Sequence, residues 1–225
     1  MLEVETERLL GPLNDIEAKN APKSLWLDGD TSLLTTGLRV SVVGSRKASS
    51  DGLRRAAALS RALAKRNITV VSGLAEGIDT VAHETAIASG GKTIAVLGTP
   101  LSEAYPKSNT KLLDTIKSEH LALSQFPEGS TFRPQNFPIR NRTMALVSDA
   151  TVIVEATDKS GTRHQGWEAI KMGRLLFLMQ NVVDDKSISW SEKMIEYGAQ
   201  VLSRETLDDA LENIPPMTTG GEFAF

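Results

Sequence analysis

Four short stretches gather the glycines, hydroxyls, arginines and acids that could hold an anion or move a proton. The first is Gly44-Ser45-Arg46-Lys47, followed by Ser49, Ser50 and Asp51. Glycine frees the backbone to turn, the N–H groups after it can face an anion at a helix N-terminus, and an arginine can fork onto phosphate. The second is "SGLAEGIDTVAH" at 72–83, where Gly73 and Gly77 bracket a tight turn. Asp79 complements the dipole of the helix that follows, and His83 lies four residues on, within reach on the same helix face. The pair reads either as an acid–base dyad or as an ordinary helix start beneath a sheet edge; no serine or cysteine nucleophile accompanies it. The third is "FPIRNR" at 137–142. Arg140 and Arg142 flank Asn141 where a helix is expected to begin, against the helix dipole, so each needs an anion or a carboxylate such as Glu155 or Asp158. Phe137 beside them supplies a ring for stacking on a base or for core packing. The fourth is "VEATDKSGTRHQGWE", where Ser160, Gly161 and Thr162 open a helix as a further anion cradle.

Composition narrows the chemistry. The 225 residues hold no cysteine, which excludes disulfides, thiolate catalysis and cysteine-bound zinc. His83, His120 and His164 are too scattered for a histidine-rich metal site, so neither a metal nor a cofactor is expected. Without a signal peptide or an apolar run of about 20 residues, the reading is a cytoplasmic protein with no membrane partner. The net charge of −3 is mild, but its distribution is polarised. Residues 37–66 carry eight bases against the single acid Asp51, whereas residues 184–225 carry nine acids against three bases. A basic segment of that kind is the electrostatic footprint of a polyanion site or a solvated helix face.

The elements that must position these stretches are read from periodicity. Apolar, β-branched runs at 38–43, 68–72, 92–97, 150–155 and 174–179 read as strands, with a weaker one at 121–127 and a short one at 200–202. Helical spacing fills 51–66, 77–89, 109–119, 139–148, 161–172, 191–197 and 206–213. Met1–Asn20 reads as a short amphipathic helix, and residues 125–138 as a proline- and glycine-broken loop. Continuously apolar strands alternating with helices imply a doubly wound, mostly parallel sheet with helices on both faces. In such a sheet ligands sit at the carboxyl ends of the strands, at a topological switch point. Gly44, Gly73, Gly98 and Glu155 are therefore expected along one rim. The expected organisation is a lead-in over residues 1–36, one core domain over 37–214 and a flexible tail over 215–225.

Taken together the motifs resemble the DprA/Smf family, DNA-processing protein A. "VVGSR" at 42–46, the long second motif at 72–83, "AYP" at 104–106, "FPIRNR" at 137–142 and "VEATDKSG" at 154–161 match in order and spacing. The similarity covers roughly residues 20–213, with "GR" at 173–174 and "MIEYGAQV" at 194–201 resembling the closing elements. The resemblance implies an extended Rossmann-like fold of the SLOG group and binding of single-stranded DNA, in a homodimer that hands strands to a RecA-like recombinase during transformation or recombination. It further implies that Arg46 and Arg140 contact phosphates, with Ser45, Asn141 and Arg142 as motif members. This sequence departs from the pattern at Pro100, at "SGTRHQGWEA" and at "FLMQN". The second departure is expected to bring Arg163, His164 and Glu168 to the pocket. The N-terminal helical domain and C-terminal winged helix of many members are not expected here.

The combined candidate site is Gly44, Ser45, Arg46, Gly73, Phe137, Arg140, Asn141, Arg142, Ser160, Gly161 and Thr162, with no catalytic residue. Two other functions share the same pocket: a sensor of a small nucleotide, and a hydrolase of nucleoside monophosphates like the LOG-type relatives. The hydrolases carry P-G-G-x-G-T-x-x-E. Here Gly161-Thr162 lacks the P-G-G, and Glu168 lies six residues past Thr162 rather than three, about two helical turns away.

Overall fold

The computed structural model describes residues 1–216, so the expected tail from 217 onward lies outside the described residues. Nine strands form one sheet: β1 (Leu2–Glu5), β2 (Ser24–Gly29), β3 (Arg39–Gly44), β4 (Thr69–Ser72), β5 (Thr93–Leu97), β6 (Leu121–Ser124), β7 (Ala150–Glu155), β8 (Leu175–Met179) and β9 (Gln200–Leu202). The helices are α1 (Thr6–Leu10), α2 (Asp15–Asn20), α3 (Ser50–Lys65), α4 (Ile78–Ala88), α5 (Thr110–Glu119), α6 (Asn136–Leu146), α7 (Thr162–Lys171), α8 (Gln180–Asp184), α9 (Ser191–Glu196) and α10 (Leu207–Glu212). The spatial order is β1-β2-β6-β5-β4-β3-β7-β8-β9. From β6 to β9 every pairing is parallel, and β2 and β1 add to the β6 edge antiparallel. The protein is thus a doubly wound, Rossmann-like α/β fold.

The side-chain alternation of each strand feeds two layers. Val40, Val42, Val70, Val152 and Val154 face α3, α4 and α10, where Ala56, Leu59, Leu63, Ile78, Ala82 and Leu211 are buried. Ala95, Leu97 and Ala122 extend that layer beneath α5. Val43, Val71, Ile94, Val96 and Ile153 point the other way, onto Met144 and Leu146 of α6 and onto Met172, Val182 and Met194. Each fully buried Leu, Ile or Val adds on the order of 1.5–3 kcal/mol of transfer free energy.

The lead-in differs from expectation. Leu2–Glu5 is a strand, not the start of a helix, and only short α1 and α2 follow. Gly11 at φ 81° breaks the chain between them. Asn14 then starts α2 with a capping box: its side chain accepts from Glu17 N at 3.0 Å, and Glu17 accepts from Asn14 N at 2.9 Å. The helix propensity of Leu and Glu is outweighed by sheet closure. β2 sinks Leu25 and Leu27 to 0% and 1% exposure and pairs Leu27 with Leu123, while β1 covers the outer edge of β2. An ion pair between Arg174 and Glu17 ties this segment to the end of the sheet's opposite half.

The chain runs outward from β3 through β4, β5 and β6, then returns to place β7 on the other side of β3. The switch point therefore lies between the carboxyl ends of β3 and β7. Gly44 pairs with Glu155 there, and Gly73 and Gly98 directly follow the adjacent parallel strands β4 and β5. All four expected rim positions share this edge.

Candidate nucleic-acid interface

A cavity of about 490 Å³ opens at the switch point. Of the expected residues, Gly44, Ser45, Arg46, Phe137, Arg140, Asn141, Ser160, Gly161 and Thr162 line it. The loop after β3 supplies one wall, and Ser45 N donates to the Glu155 carbonyl at 2.9 Å, fixing that loop to the end of β7. The start of α7 supplies the opposite wall, and α6 lines the remaining side down to the floor. Helix α6 begins at Asn136, earlier than expected, because Pro138 falls in the first turn, where a proline costs no hydrogen bond. Arg140 and Arg142 consequently lie inside the helix rather than at its start.

Arg46 and Arg140, expected to act alike, sit in opposite settings. Arg46 is exposed at the rim. It forms no hydrogen bond or ion pair among the described residues, and its guanidinium lies over the Phe137 ring at 5.1 Å from the centroid. Lys47 beside it is also exposed and also lines the cavity. Arg140 is 4% exposed and forms part of the floor. Its Nη1 donates to the Val96 carbonyl at 3.0 Å. A Cβ on Gly73 would stand 1.4 Å from that nitrogen, so Gly73 is glycine to admit the guanidinium; it does not itself line the cavity.

Asp79 faces Arg140 across the floor. Its Oδ2 accepts from Gly73 N at 3.1 Å and from Ala75 N at 3.4 Å. Burial pushes the Asp79 carboxyl up and the Arg140 guanidinium down, and each charge partly offsets the shift of the other. The geometry removes the Asp79–His83 dyad. His83 turns away, its Nδ1 lying 2.7 Å from Thr93 Oγ1. Because Thr93 Oγ1 spends its own proton on the Val70 carbonyl at 2.9 Å, the imidazole donates through Nδ1. Burial, with the Arg140 charge adding to it, lowers its pKa from 6.5 to about 3.

Arg142 does not join the site. It turns toward α7, where its Nε donates to Glu168 Oε2 at 3.1 Å, and Lys171 reaches the other Glu168 oxygen at 3.4 Å. Neither Glu155 nor Asp158 is its partner. Glu155 instead accepts from Ser49 N at 2.8 Å at the start of α3 and faces Arg55 at 3.9 Å. Glu168, the one acid that could have mimicked a hydrolase glutamate, is therefore held outside the cavity. Of the divergent run in α7, His164 reaches the lining and Arg163 does not.

Beyond the rim is an aromatic cluster that the sequence reading did not assemble. Tyr105 and Phe132, each 42% exposed, close on Phe137. The centroids are 5.0 Å apart for Tyr105–Phe132, 5.2 Å for Tyr105–Phe137 and 5.8 Å for Phe132–Phe137. A hollow of about 70 Å³ bounded by Arg46, Glu76, Tyr105 and Pro106 leads from the cavity toward it. The signal for Phe132 was an aromatic in a proline- and glycine-rich loop with no periodic partner. Lys47, Thr157 and Gln165 of the lining were also missed; Lys47 could have been found beside Arg46, whereas Gln165 offered only its place in the divergent helix.

The site is thus a cation-rimmed pocket at a parallel-sheet switch point, continued by exposed rings. The family model for DNA recombination-mediator protein A matches residues 11–215. A protein Smf from Synechocystis is 40% identical over 184 residues, covering 81% of this chain; the chain spans 46% of that curated relative's length. The structure of DNA processing protein A from Streptococcus pneumoniae superposes with a TM-score of 0.80 at 32% identity, covering 95% of this chain and 74% of that one. That of the Helicobacter pylori protein, solved for its single-stranded DNA binding mode, gives 0.77 at 29% identity, covering 89% and 92%. With nearly its whole described length matched by that family model, the chain belongs to the DNA recombination-mediator protein A family, the DprA/Smf proteins.

Proposed function

We propose that the protein binds single-stranded DNA along a track that starts in the switch-point pocket and runs over the aromatic cluster. The observation that carries this reading is the pairing of Arg46 and Lys47, which have no hydrogen-bond or ion-pair partner among the described residues, with the exposed rings of Tyr105 and Phe132 and the partly buried ring of Phe137. Cations neutralise phosphates and rings stack on bases irrespective of sequence. A pocket built for one free nucleotide has no use for a ring platform outside its mouth, which favours a strand over the nucleotide-sensing alternative. The hydrolase alternative loses its glutamate to Arg142 and Lys171. Phosphate contacts are assigned to Ser45, Arg46, Lys47 and the start of α7 at Ser160, Gly161 and Thr162. Asn141 is assigned to the same ligand, and Arg140 to the floor that shapes the pocket.

Within this reading the protein acts without catalysis in the cytoplasm, as a homodimer that delivers strands to a RecA-like recombinase. What supports that part is membership of the recombination-mediator family. The test is a fluorescence-anisotropy titration with oligothymidylates of increasing length at several salt concentrations. Affinity is expected to climb with length over the first few nucleotides and to fall with salt by about 0.7 log units per phosphate contact per decade. Saturation by a mononucleotide as tight as by the longest oligomer would replace the strand reading with the sensor reading.

A further inference from the structure

Behind the rim, α3 carries a second set of cations that the pocket does not use. The helix starts at Ser50, three residues after Lys47, and Asp51, Arg54, Ala58, Arg61 and Lys65 are its exposed ridge. Their spacing of three or four residues stacks them on one face. The helix has 16 residues, so the ridge leads about 24 Å away from the rim. Seven bases lie between Arg46 and Arg66. Three of them have an acid: Arg54 pairs with Asp51, Arg55 lies 3.9 Å from Glu155, and Arg66 lies 2.6 Å from Asp208. The other four, Arg46, Lys47, Arg61 and Lys65, have no hydrogen-bond or ion-pair partner among the described residues. Arg54 and Asp51 are both exposed, and an exposed pair of this kind holds weakly, so Arg54 can exchange its carboxylate for another anion.

The surroundings of the ridge specify the anion. Ala57, Ala58 and Ala62 lie around its middle, so no long side chain stands between the cations. No aromatic residue occurs in α3, so the ridge offers nothing for a base to stack on. It suits a row of phosphates with the bases turned away. In the same layer α3 lies between α4 and α10, and both flanks are acidic: Glu84 on α4, Asp208, Asp209 and Glu212 on α10, all exposed. A duplex laid along the ridge would overhang these flanks and bring its second backbone onto the acids. A single backbone stays on the cations.

Resting on the strand-binding reading above, we propose that Arg54, Arg61 and Lys65 hold phosphates of the single strand where it leaves the pocket over Arg46 and Lys47, so that the outer face of α3 is a second tract of the interface. The pocket mouth then has two exits of different chemistry. Bases stack on the rings of Tyr105 and Phe132 along one, and only the backbone is held along the other.

The test titrates oligothymidylates of about 6 and about 24 nucleotides, a short one for the pocket and its rim and a long one that reaches α3. Arg61→Gln with Lys65→Gln is expected to bind the short oligomer as wild type does and the long one on the order of tenfold more weakly. Its salt slope on the long oligomer is expected to be lower by about 1.4, two contacts at about 0.7 each. Lys186→Gln with Lys193→Gln removes the same charge from the exposed surface beside and on α9 and is expected to match wild type on both lengths. An unchanged affinity and slope in the Arg61 and Lys65 variant overturns the α3 proposal and leaves strand binding standing. An equal loss in the Lys186 and Lys193 variant also overturns it, because net charge and not contact would then be the cause. A third ligand carries the short single strand with a duplex extension. Sensitivity of this ligand to the α3 variant as great as that of the long single strand overturns the assignment to a single strand. If wild type binds neither oligothymidylate, both proposals fall.

Discussion

The rim and the floor of the pocket use the same residue type to opposite ends. Arg46 on the rim is exposed, makes no ion pair among the described residues and rests on an aromatic face. Arg140 on the floor is buried, bonded to the Val96 carbonyl and set against the buried Asp79. A charge available to a ligand must remain hydrated and unpaired, at little cost to the fold. A charge inside the fold must be compensated on every side, and its removal is felt by the whole domain. The motif that carries each arginine does not reveal which of these it is; the surrounding Cβ atoms do.

The sharpest way to break this contrast is to remove Arg140. Arg140→Ala leaves Asp79 buried without its opposing charge and opens a void over Gly73, so stability is expected to fall by about 3–5 kcal/mol, with DNA binding lost alongside. Denaturant unfolding followed by circular dichroism measures it. A midpoint within error of wild type would mean that Arg140 is a ligand contact after all, and the rim–floor division would collapse.

Acid should attack the floor next. The folded-state pKa of His83 is depressed to about 3 from 6.5. The unfolded chain therefore takes up a proton that the folded chain refuses. The stability that His83 contributes is complete above pH 6.5 and is lost progressively as the pH falls toward about 3. His120, also held down by burial, acts in the same direction. Asp79 acts in the opposite one: its raised pKa makes its contribution complete below 3.8 and lost as the pH rises through the folded value. Unfolding free energy measured across that range should decline on acidification, and His83→Leu should flatten the decline. An unaltered slope in the variant would show that the imidazole titrates freely and is not held against Thr93.

On the rim the expected effect is smaller and of a different kind. Arg46→Ala should leave the unfolding midpoint within about 0.5 kcal/mol, as surface changes do. It should weaken oligonucleotide binding by about 1–3 kcal/mol and reduce the salt slope by about 0.7. Affinity and slope both unchanged would remove Arg46 from the interface.

How far the sequence discloses this division depends on how local the cause is. Strand ends were legible because a β-branched run stopping at glycine is a short-range signal, and Gly44, Gly73 and Gly98 all mark the rim. The edge strands were not. Leu2–Glu5 has good helix formers, and its extended state depends on Ser24–Gly29 pairing with Leu121–Ser124, nearly a hundred residues away. The Arg140 motif suggests a phosphate contact but does not disclose its burial, which requires an absent side chain at Gly73 after β4 and a carboxylate from Asp79 in the first turn of α4. Arg142 was likewise placed in the site because its partner, Glu168, lies on the next helix but one strand away. The ring cluster needs two loops, carrying Tyr105 and Phe132, to meet Phe137 in the first turn of α6, so no window of sequence shows it. Gln165 is the extreme case, since nothing about a glutamine in a helix announces that its amide will be buried without a hydrogen-bond partner among the described residues.

The smallest predicted effect tests what holds the rim loop in place. Glu155, at the end of β7, accepts from the backbone and hydroxyl of Ser49 and so anchors the first turn of α3, immediately behind Arg46 and Lys47. The carboxylate lies so close over Gly52 that a Cβ there would stand 2.3 Å from Oε2. Gly52 is helical and carries no positive φ, so alanine would be welcome on backbone grounds and would gain helix propensity of up to about 1 kcal/mol. The steric argument predicts the opposite sign. Gly52→Ala must push the carboxylate off Ser49, losing a helix-start interaction of about 1 kcal/mol and cancelling the propensity gain. A midpoint equal to or slightly below that of wild type is therefore expected, with oligonucleotide affinity falling by a few-fold at most as the Arg46 loop loosens. A clear rise in stability with full affinity would show that Glu155 does not fasten α3, and that the rim arginine owes its position to Phe137 alone.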